Sequence, residues 1–438
     1  MFKLSPYEFY NRHTNEIKRY LHGRNNVLNV YSTKFKLEIN NKNIDNLKID
    51  LDKSFISDLE NIEDNQYDFI ILTDVFEMSQ DIYKVLKILK SKLNNDGKIL
   101  ITSINPIWDK IIKILESLKL KNQSIDRSYI KAKKFKYVCN ALDIDIVTSY
   151  SRQYFPFKLI NTGRLINSIF EIVLFRFNLG IRTYTILGNY TRKTRAYSKS
   201  VIIPAKNEEE NLKILFERLS LMNLDSEYIL ICAESQDNTI KVAQDIVNKY
   251  KEMNILFSKQ NSNGKANGVF EGLELSSGDV IAILDSDISV DPEKLFDFFE
   301  IIDNNSADFV NGTRMVYPME KDAMRFLNKI GNKVFQYFIS KVIFQELSDS
   351  LCGTKVFKRV NVDSLLEWRY NQKIIDPFAD FDLIFSSAYS GLKIVELPIH
   401  YKARVYGKTQ ISRFKDGYKL LIYFLNSFYL FNVSKYKS

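Results

Sequence analysis

The sequence predicts an α/β protein of two domains, each built around a parallel sheet with crossover helices. Three observations carry this. The chain has 438 residues, more than a single core of roughly 150 residues fills. Strand-like and helix-like patterns alternate through both halves. In the second half, apolar strands run into acidic loops at their C-terminal ends, where open α/β sheets place ligands. A hydrophobic content of 45% and a charged content of 26% are those of an ordinary globular protein, so each half can bury a core.

In the first half, Asn26–Val30 and Tyr67–Thr73 read as strands, the latter (YDFIILT) rich in β-branched and aromatic residues. Ile82–Leu93 has helical spacing and ends at the turn Asn94-Asn95-Asp96-Gly97, ahead of a strand over Lys98–Thr102. A connector over 151–199 follows. Its apolar residues Leu165, Ile166, Ile169, Ile172, Val173 and Phe177 fall on one helical face, with Arg164 and Arg176 at the ends. That face predicts a helix that docks the two domains or lies in a membrane interface.

The second half opens with the strand 201–205, a helix from Glu208 and the strand 228–232. A helix from Asp237, a strand over Asn254–Phe257, a helix from Lys265 and the strand 280–285 come next. Phe326–Leu347 and Tyr418–Val433 are aromatic-rich but interrupted by polar residues. Each reads as a core helix or an interfacial one.

Composition narrows the chemistry. Cys139, Cys232 and Cys352 are widely spaced and form no CxxC pair, which points to thiols in a reducing compartment. Three histidines, His13, His22 and His400, do not make a histidine-rich metal site. No apolar run reaches the roughly 18 to 20 residues of a spanning helix, and Met1–Tyr10 lacks a signal-peptide core. The expected location is cytoplasmic, peripheral to the inner face of the membrane. Of the net charge of +9, most is local: between Ser151 and Ser200 nine basic residues face one acid, Glu171. An anionic membrane surface is the partner this predicts, rather than nucleic acid.

The stretch YDFIILTDVFEMSQD followed by LKSKLNNDGKILIT resembles two strands and the intervening helix of class I S-adenosylmethionine methyltransferases. The resemblance covers about Tyr10 to Tyr150 and implies a Rossmann-like domain over 1–150. The turn after its first strand, Tyr31-Ser32-Thr33-Lys34, lacks the glycines that let a backbone approach the cofactor. Asp50 or Asp52 would be the ribose-binding acid. The expectation is a non-catalytic domain that does not bind S-adenosylmethionine.

Four pieces of the second half resemble glycosyltransferase family 2, and within it the polyprenyl-phosphate mannosyltransferase branch. They are VIIPAKNEEENL, ESQDNT, SSGDVIAILDSDISVDPEKL preceded by GKANGVFEGL, and the run from FVNGTRM to ARVYGKTQ. The resemblance spans about Ser200 to Gly417 and implies a GT-A nucleotide-sugar-binding domain over 200–417, followed by an amphipathic helix over 418–438. It implies donor contacts from Pro204, Asn207, Glu208, Glu234, Asp237, Lys265, Asp285 and Arg314. It also implies a divalent metal, Mg²⁺ or Mn²⁺, on Asp285 and Asp287, where charge grows on a departing diphosphate. Cys232 and Ala233 stand where the family carries an acidic pair, leaving Glu234 as the nearby carboxylate. Asp349 and Gly353 fall in the acceptor-side segment. Asp380, in ADFDL, matches the family's base under an acceptor hydroxyl, or else caps the helix 381–390. Arg404 and Gly407 match a basic acceptor loop in which Thr409 replaces serine and Gln410 replaces lysine, with Lys408 close by.

The expectation is therefore a metal-dependent, inverting glycosyltransferase. Its donor is a UDP- or GDP-linked sugar and its acceptor a lipid phosphate or envelope glycan. The alternatives are a soluble hydroxyl acceptor, or a bifunctional methyltransferase and glycosyltransferase.

Overall fold

The computed structural model describes residues 6–31, 37, 44–49, 56–75, 81–108, 111, 113–114, 117, 132–154, 163–174, 177–190, 195–318, 326–404, 406–407 and 413–432. Residues 32–34, Asp50, Asp52, Arg192, Lys193 and Lys408 lie outside them. The chain divides into two compact units. One comprises the residues up to Thr191 together with those from Tyr429, the other Arg192–Phe428. The division between Thr191 and Arg192 falls within the expected connector 151–199.

The first unit contains α1 (Pro6–Lys18), β1 (Val27–Tyr31), β2 (Ile44–Lys48), α2 (Ile56–Glu60), β3 (Tyr67–Thr73) and α3 (Ile82–Lys92). Its remaining described elements are β4 (Leu93–Ile104), α4 (Ala132–Ala141), β5 (Asp145–Arg152), α5 (Gly163–Leu174) and β6 (Arg182–Gly188). Six strands lie in the order β2-β1-β3-β4-β6-β5. The β2-β1-β3-β4 run is parallel, as expected, whereas β6 is antiparallel to both neighbours. The expected turn at Asn94–Gly97 is absorbed into β4, whose pairing with β3 shifts register near Tyr67. Asp81 starts α3 by accepting from the Lys84 amide at 2.9 Å. Ile82, Val85, Leu86 and Leu89 then meet Ile70 and Leu72 of β3 in the core.

Because β6 completes this sheet, 151–199 is no separate connector, and its charge is not all at the surface. Arg152 and Arg182 are buried. Arg182 donates to Asp74 at 2.8 Å, and attraction to Glu171 and Glu16 raises Arg152 against the cost of burial. Nor does α5 turn its apolar face inward. Ile169, Ile172 and Val173 are exposed, and Asn167 and Glu171 are buried instead.

The second unit begins with β7 (Lys199–Ala205), α6 (Glu209–Leu221), β8 (Glu227–Cys232), α7 (Thr239–Lys249), β9 (Asn254–Lys259), α8 (Lys265–Leu275) and β10 (Val280–Ile283). It continues through α9 (Leu295–Asp303), β11 (Phe309–Thr313), α10 (Phe326–Ile343), β12 (Lys355–Lys358), α11 (Val362–Tyr370), α12 (Asp380–Tyr389), β13 (Ile394–Pro398) and α13 (Arg413–Asn432), whose residues from Tyr429 belong to the first unit. Its seven strands run β13-β11-β12-β10-β7-β8-β9, with β12 antiparallel to β10 and β11 and the other pairs parallel. Both faces are covered by helices, so β7, β8 and β10 are continuous apolar runs. Val201, Ile203, Leu230 and Ala282 meet Leu212, Phe216 and Phe298 in one core. The three cysteines are buried and unbridged, and burial pushes each thiol up to about 12. Among the described residues no helix is long and apolar enough to cross a membrane.

Candidate active site

Three loops leave the carboxyl edge of β7, β8 and β10, and side chains from the first two lace them together. The Asn207 carboxamide accepts from the Gln236 amide at 2.7 Å, and the Asn207 amide donates to Ser235 Oγ at 3.1 Å. The Glu208 amide donates to Thr239 Oγ1 at 2.8 Å, and the Glu209 amide to Asp237 Oδ2 at 3.3 Å. Asn207 and Asp237 thus shape the edge at the ends of β7 and β8, and Asn207 does so without capping α6, which Glu208 precedes. Glu234 is exposed beside them, and Pro204 is partly buried in β7 with its carbonyl accepting from Ser286.

At the end of β10 the two expected metal ligands are each paired with a cation. Asp285 Oδ1 is 2.5 Å from Lys265 Nζ, at the start of α8. Asp287 Oδ2 accepts from Arg404 at 2.8 Å, while its Oδ1 accepts from Ser289 Oγ at 2.7 Å. Arg404 also donates to Glu208 Oε1 at 2.7 Å, so one guanidinium joins the loops after β7 and β10. Burial works to raise the Asp285 carboxyl, but Lys265, with Lys355 and Arg404 farther out, holds it below the usual range. Burial raises Glu208, against hydrogen bonds from Asn211 and Arg404.

The backbone here is held in uncommon conformations. Asn207, Ile288 and Ala379 have φ of 55°, 56° and 70°, each next in sequence to one of Glu208, Asp287 and Asp380. For a β-branched residue such as Ile288 that region is costly, on the order of 1–3 kcal/mol, and persists only where the surroundings dictate it.

Asp380, the expected base, opens α12 but does not cap it. Asp376 does, its Oδ2 accepting from the amides of Phe381 at 2.7 Å and Asp382 at 3.0 Å. Burial and the nearby Asp382 and Asp380 carboxyls push Asp376 up to about 7. Burial pushes Asp382 up to about 6, even though Tyr423 and Arg369 bond it. Asp380 Oδ1 lies 2.5 Å from Nζ of Lys355, a lysine with no exposed surface at the start of β12. Lys355 also donates to the Cys352 carbonyl.

Arg314 and Asp349 take different places from those expected. Arg314 turns into the protein and grips Asp349 through two bonds, at 2.7 and 2.8 Å. Asn332 and the Leu351 amide also donate to Asp349, whose carboxyl lies at about 2 because these charged and polar donors outweigh its burial. The pair is internal bracing between β11 and the segment before β12.

Gly353 comes so close to Asp285 that a Cβ there would meet the carboxylate. Gly353→Ala is therefore expected to displace Asp285 and cut sugar-nucleotide turnover by about tenfold to a hundredfold, the range for a misplacement near 1 Å. Wild-type turnover in the alanine variant would remove Asp285 from the working site.

Asp285 and Asp287 fit a divalent ion that arrives with its nucleotide. They offer hard oxygen ligands, and Mg²⁺ bound through one or two carboxylates completes its shell from phosphate and water. Among the described residues no three His, Cys, Asp or Glu side chains gather into a metal cage of their own.

Residues 200–366 match the family model described as Glycosyl transferase family 2. The chain is 28% identical over 219 residues to dolichol-phosphate mannosyltransferase of Pyrococcus furiosus, covering 49% of this chain and 59% of that protein. It is 24% identical over 220 residues to undecaprenyl-phosphate 4-deoxy-4-formamido-L-arabinose transferase of Proteus mirabilis, covering 49% and 63%. This chain thus spans less than two thirds of the length of these relatives. A solved glucosyl-3-phosphoglycerate synthase from Mycobacterium tuberculosis superposes with a TM-score of 0.40 at 14% identity, covering 53% of this chain and 80% of that one, too loosely to establish a shared fold. The second unit therefore carries a glycosyltransferase domain.

Proposed function

We propose that this protein transfers a sugar from a nucleoside diphosphate, UDP or GDP, to a polyprenyl phosphate at a membrane surface. The observation that carries the acceptor reading is the Lys355–Asp380 pair. A hydroxyl acceptor needs a base to take its proton, and the carboxylate in the base's position is already committed to a buried ammonium 2.5 Å away. A phosphate is ionised at neutral pH and needs only positioning and charge screening. The two relatives named above both carry a polyprenyl phosphate in their names, which supports the same choice. So does the outer face formed by α10 and α13. Ile330, Val334, Phe338, Leu421 and Leu425 are exposed there, while Phe338 and Phe424 join the two helices with ring centroids 6.3 Å apart.

In this reading the nucleoside lies along the laced edge of Asn207, Glu234 and Asp237, and the diphosphate lies over Asp285 and Asp287. A divalent ion there supplies Lewis-acid stabilisation of the leaving diphosphate. Lys265 and Arg404, now paired to those carboxylates, are positioned to turn to phosphate oxygens. An acceptor phosphate oxygen attacks the anomeric carbon as the bond to the diphosphate breaks, with inversion. Asp380 and Lys355 fix the floor of the acceptor side. The first unit acts as a scaffold: Glu16 of α1 and Arg19 just beyond it are lodged in its interior, where Tyr150 donates to Glu16 at 2.5 Å.

The test is a donor screen with Mg²⁺ or Mn²⁺ and an undecaprenyl or dolichyl phosphate. Turnover of a UDP- or GDP-sugar is expected to rise when the lipid phosphate is added. Stimulation by the free polyprenol, but not by its phosphate, would reject the acceptor.

A further inference from the structure

An amphipathic helix on a globular surface normally buries its apolar stripe, and α5 does the reverse. Asn167 and Glu171 are fully buried, with Glu171 Oε1 accepting from the Gln153 amide at 3.2 Å. Tyr154 holds the far end, donating to the Leu174 carbonyl at 2.9 Å. The polar anchors turn the apolar stripe outward, so Ile172, Val173 and, just past the helix, Phe177 are 45%, 61% and 62% exposed. The segment 177–180 is bonded to the turn after β4. Asn105 Nδ2 donates to the Asn178 carbonyl at 2.7 Å and Trp108 Nε1 to the Leu179 carbonyl at 2.8 Å, and Ile107 stands exposed between Asn105 and Trp108.

The chain carries a net charge of +9. In the sequence that follows the turn at 105–108, residues 106–136 hold nine basic residues against three acidic ones. Exposed apolar side chains on a chain of net positive charge are what an anionic bilayer attracts. A second copy of the chain would bring like charge onto like.

We propose that the first unit carries a docking surface for an anionic lipid bilayer, formed by α5, residues 177–180 and the turn at 105–108. This surface is independent of whether the second unit transfers sugar.

Flotation of the full chain with phosphatidylglycerol and phosphatidylcholine vesicles tests it. Wild type is expected to float with the anionic vesicles, less so at high salt, and only weakly with the neutral ones. The triple change Ile172→Ser, Val173→Ser and Phe177→Ser is expected to weaken that binding by about tenfold or more, with circular dichroism and elution volume unchanged. Fluorescence gives a second readout that needs no change in α5. Brominated phosphatidylglycerol is expected to quench Trp108, and the quenching is expected to vanish in Trp108→Phe, since Trp368 is buried. Wild type that stays with the soluble fraction at low salt overturns the proposal. Undiminished flotation of the triple variant assigns membrane contact to α10 and α13 instead. A wild-type dimer that the triple variant dissociates assigns the face to a second copy.

Discussion

Asp380→Asn is expected to destabilise the second unit by about 3–5 kcal/mol, the usual loss when one partner of a buried ion pair is removed. Lys355 has no exposed surface, and its ammonium is held by Asp380 Oδ1 and the Cys352 carbonyl. An amide in place of the carboxylate leaves that charge in a low-dielectric interior without its counterion. Adding Lys355→Met is expected to recover much of the loss, because removing both charges replaces an ion pair by apolar packing of similar volume. Urea unfolding of the two variants checks this, and a single variant within about 1 kcal/mol of wild type would mean that water reaches Lys355. Turnover of Asp380→Asn, measured in the cold on folded protein, then reads the chemistry. With a lipid phosphate the loss should stay within about tenfold, whereas a loss of two to four decades with donor affinity intact would identify Asp380 as a base.

What could be read from the sequence was local. β3, α3 and the succession from β7 to β10 declare themselves through short apolar runs and turn residues that need no partner to be recognised. The seat of β6 between β4 and β5 did not, because strand pairing is decided by residues about eighty to ninety positions away, such as Ile99 against Leu187. The period of α5 was legible but its facing was not. An apolar stripe normally marks the core side, and here buried Asn167 and Glu171 invert it. At the site, Asp285 and Asp287 stood out as acids ending an apolar strand. Arg314 and Asp349 were each legible as charged residues in a conspicuous segment, yet their bond spans 35 residues and turns both inward. Lys355 and Asp376 passed unnoticed. The one available signal for Lys355 was a lysine heading the short strand KVFK, all of which is buried.

Asp287→Ala is expected to lower turnover by about three decades or more, a loss of several kcal/mol of transition-state stabilisation. The reason lies in what the carboxylate holds. On the proposed reading it would provide, with Asp285, the hard oxygen ligands for an ion on the departing diphosphate, and it orients Arg404 at 2.8 Å. Stability should change little, because Arg404 keeps Glu208 at 2.7 Å and the Asp287 side chain is partly open to solvent. Excess EDTA should reduce wild type to the level of the variant, and Mg²⁺ or Mn²⁺ should restore wild type alone. Arg404→Ala separates the two contributions. If the arginine only neutralises Asp287 and Glu208, its loss will leave turnover intact and tighten metal binding, since those carboxylates are then bare. If it screens the phosphates during transfer, turnover will fall while the metal requirement remains. Undiminished wild-type turnover in EDTA would reject the metal and leave Lys265 and Arg404 as the cations that face the leaving diphosphate.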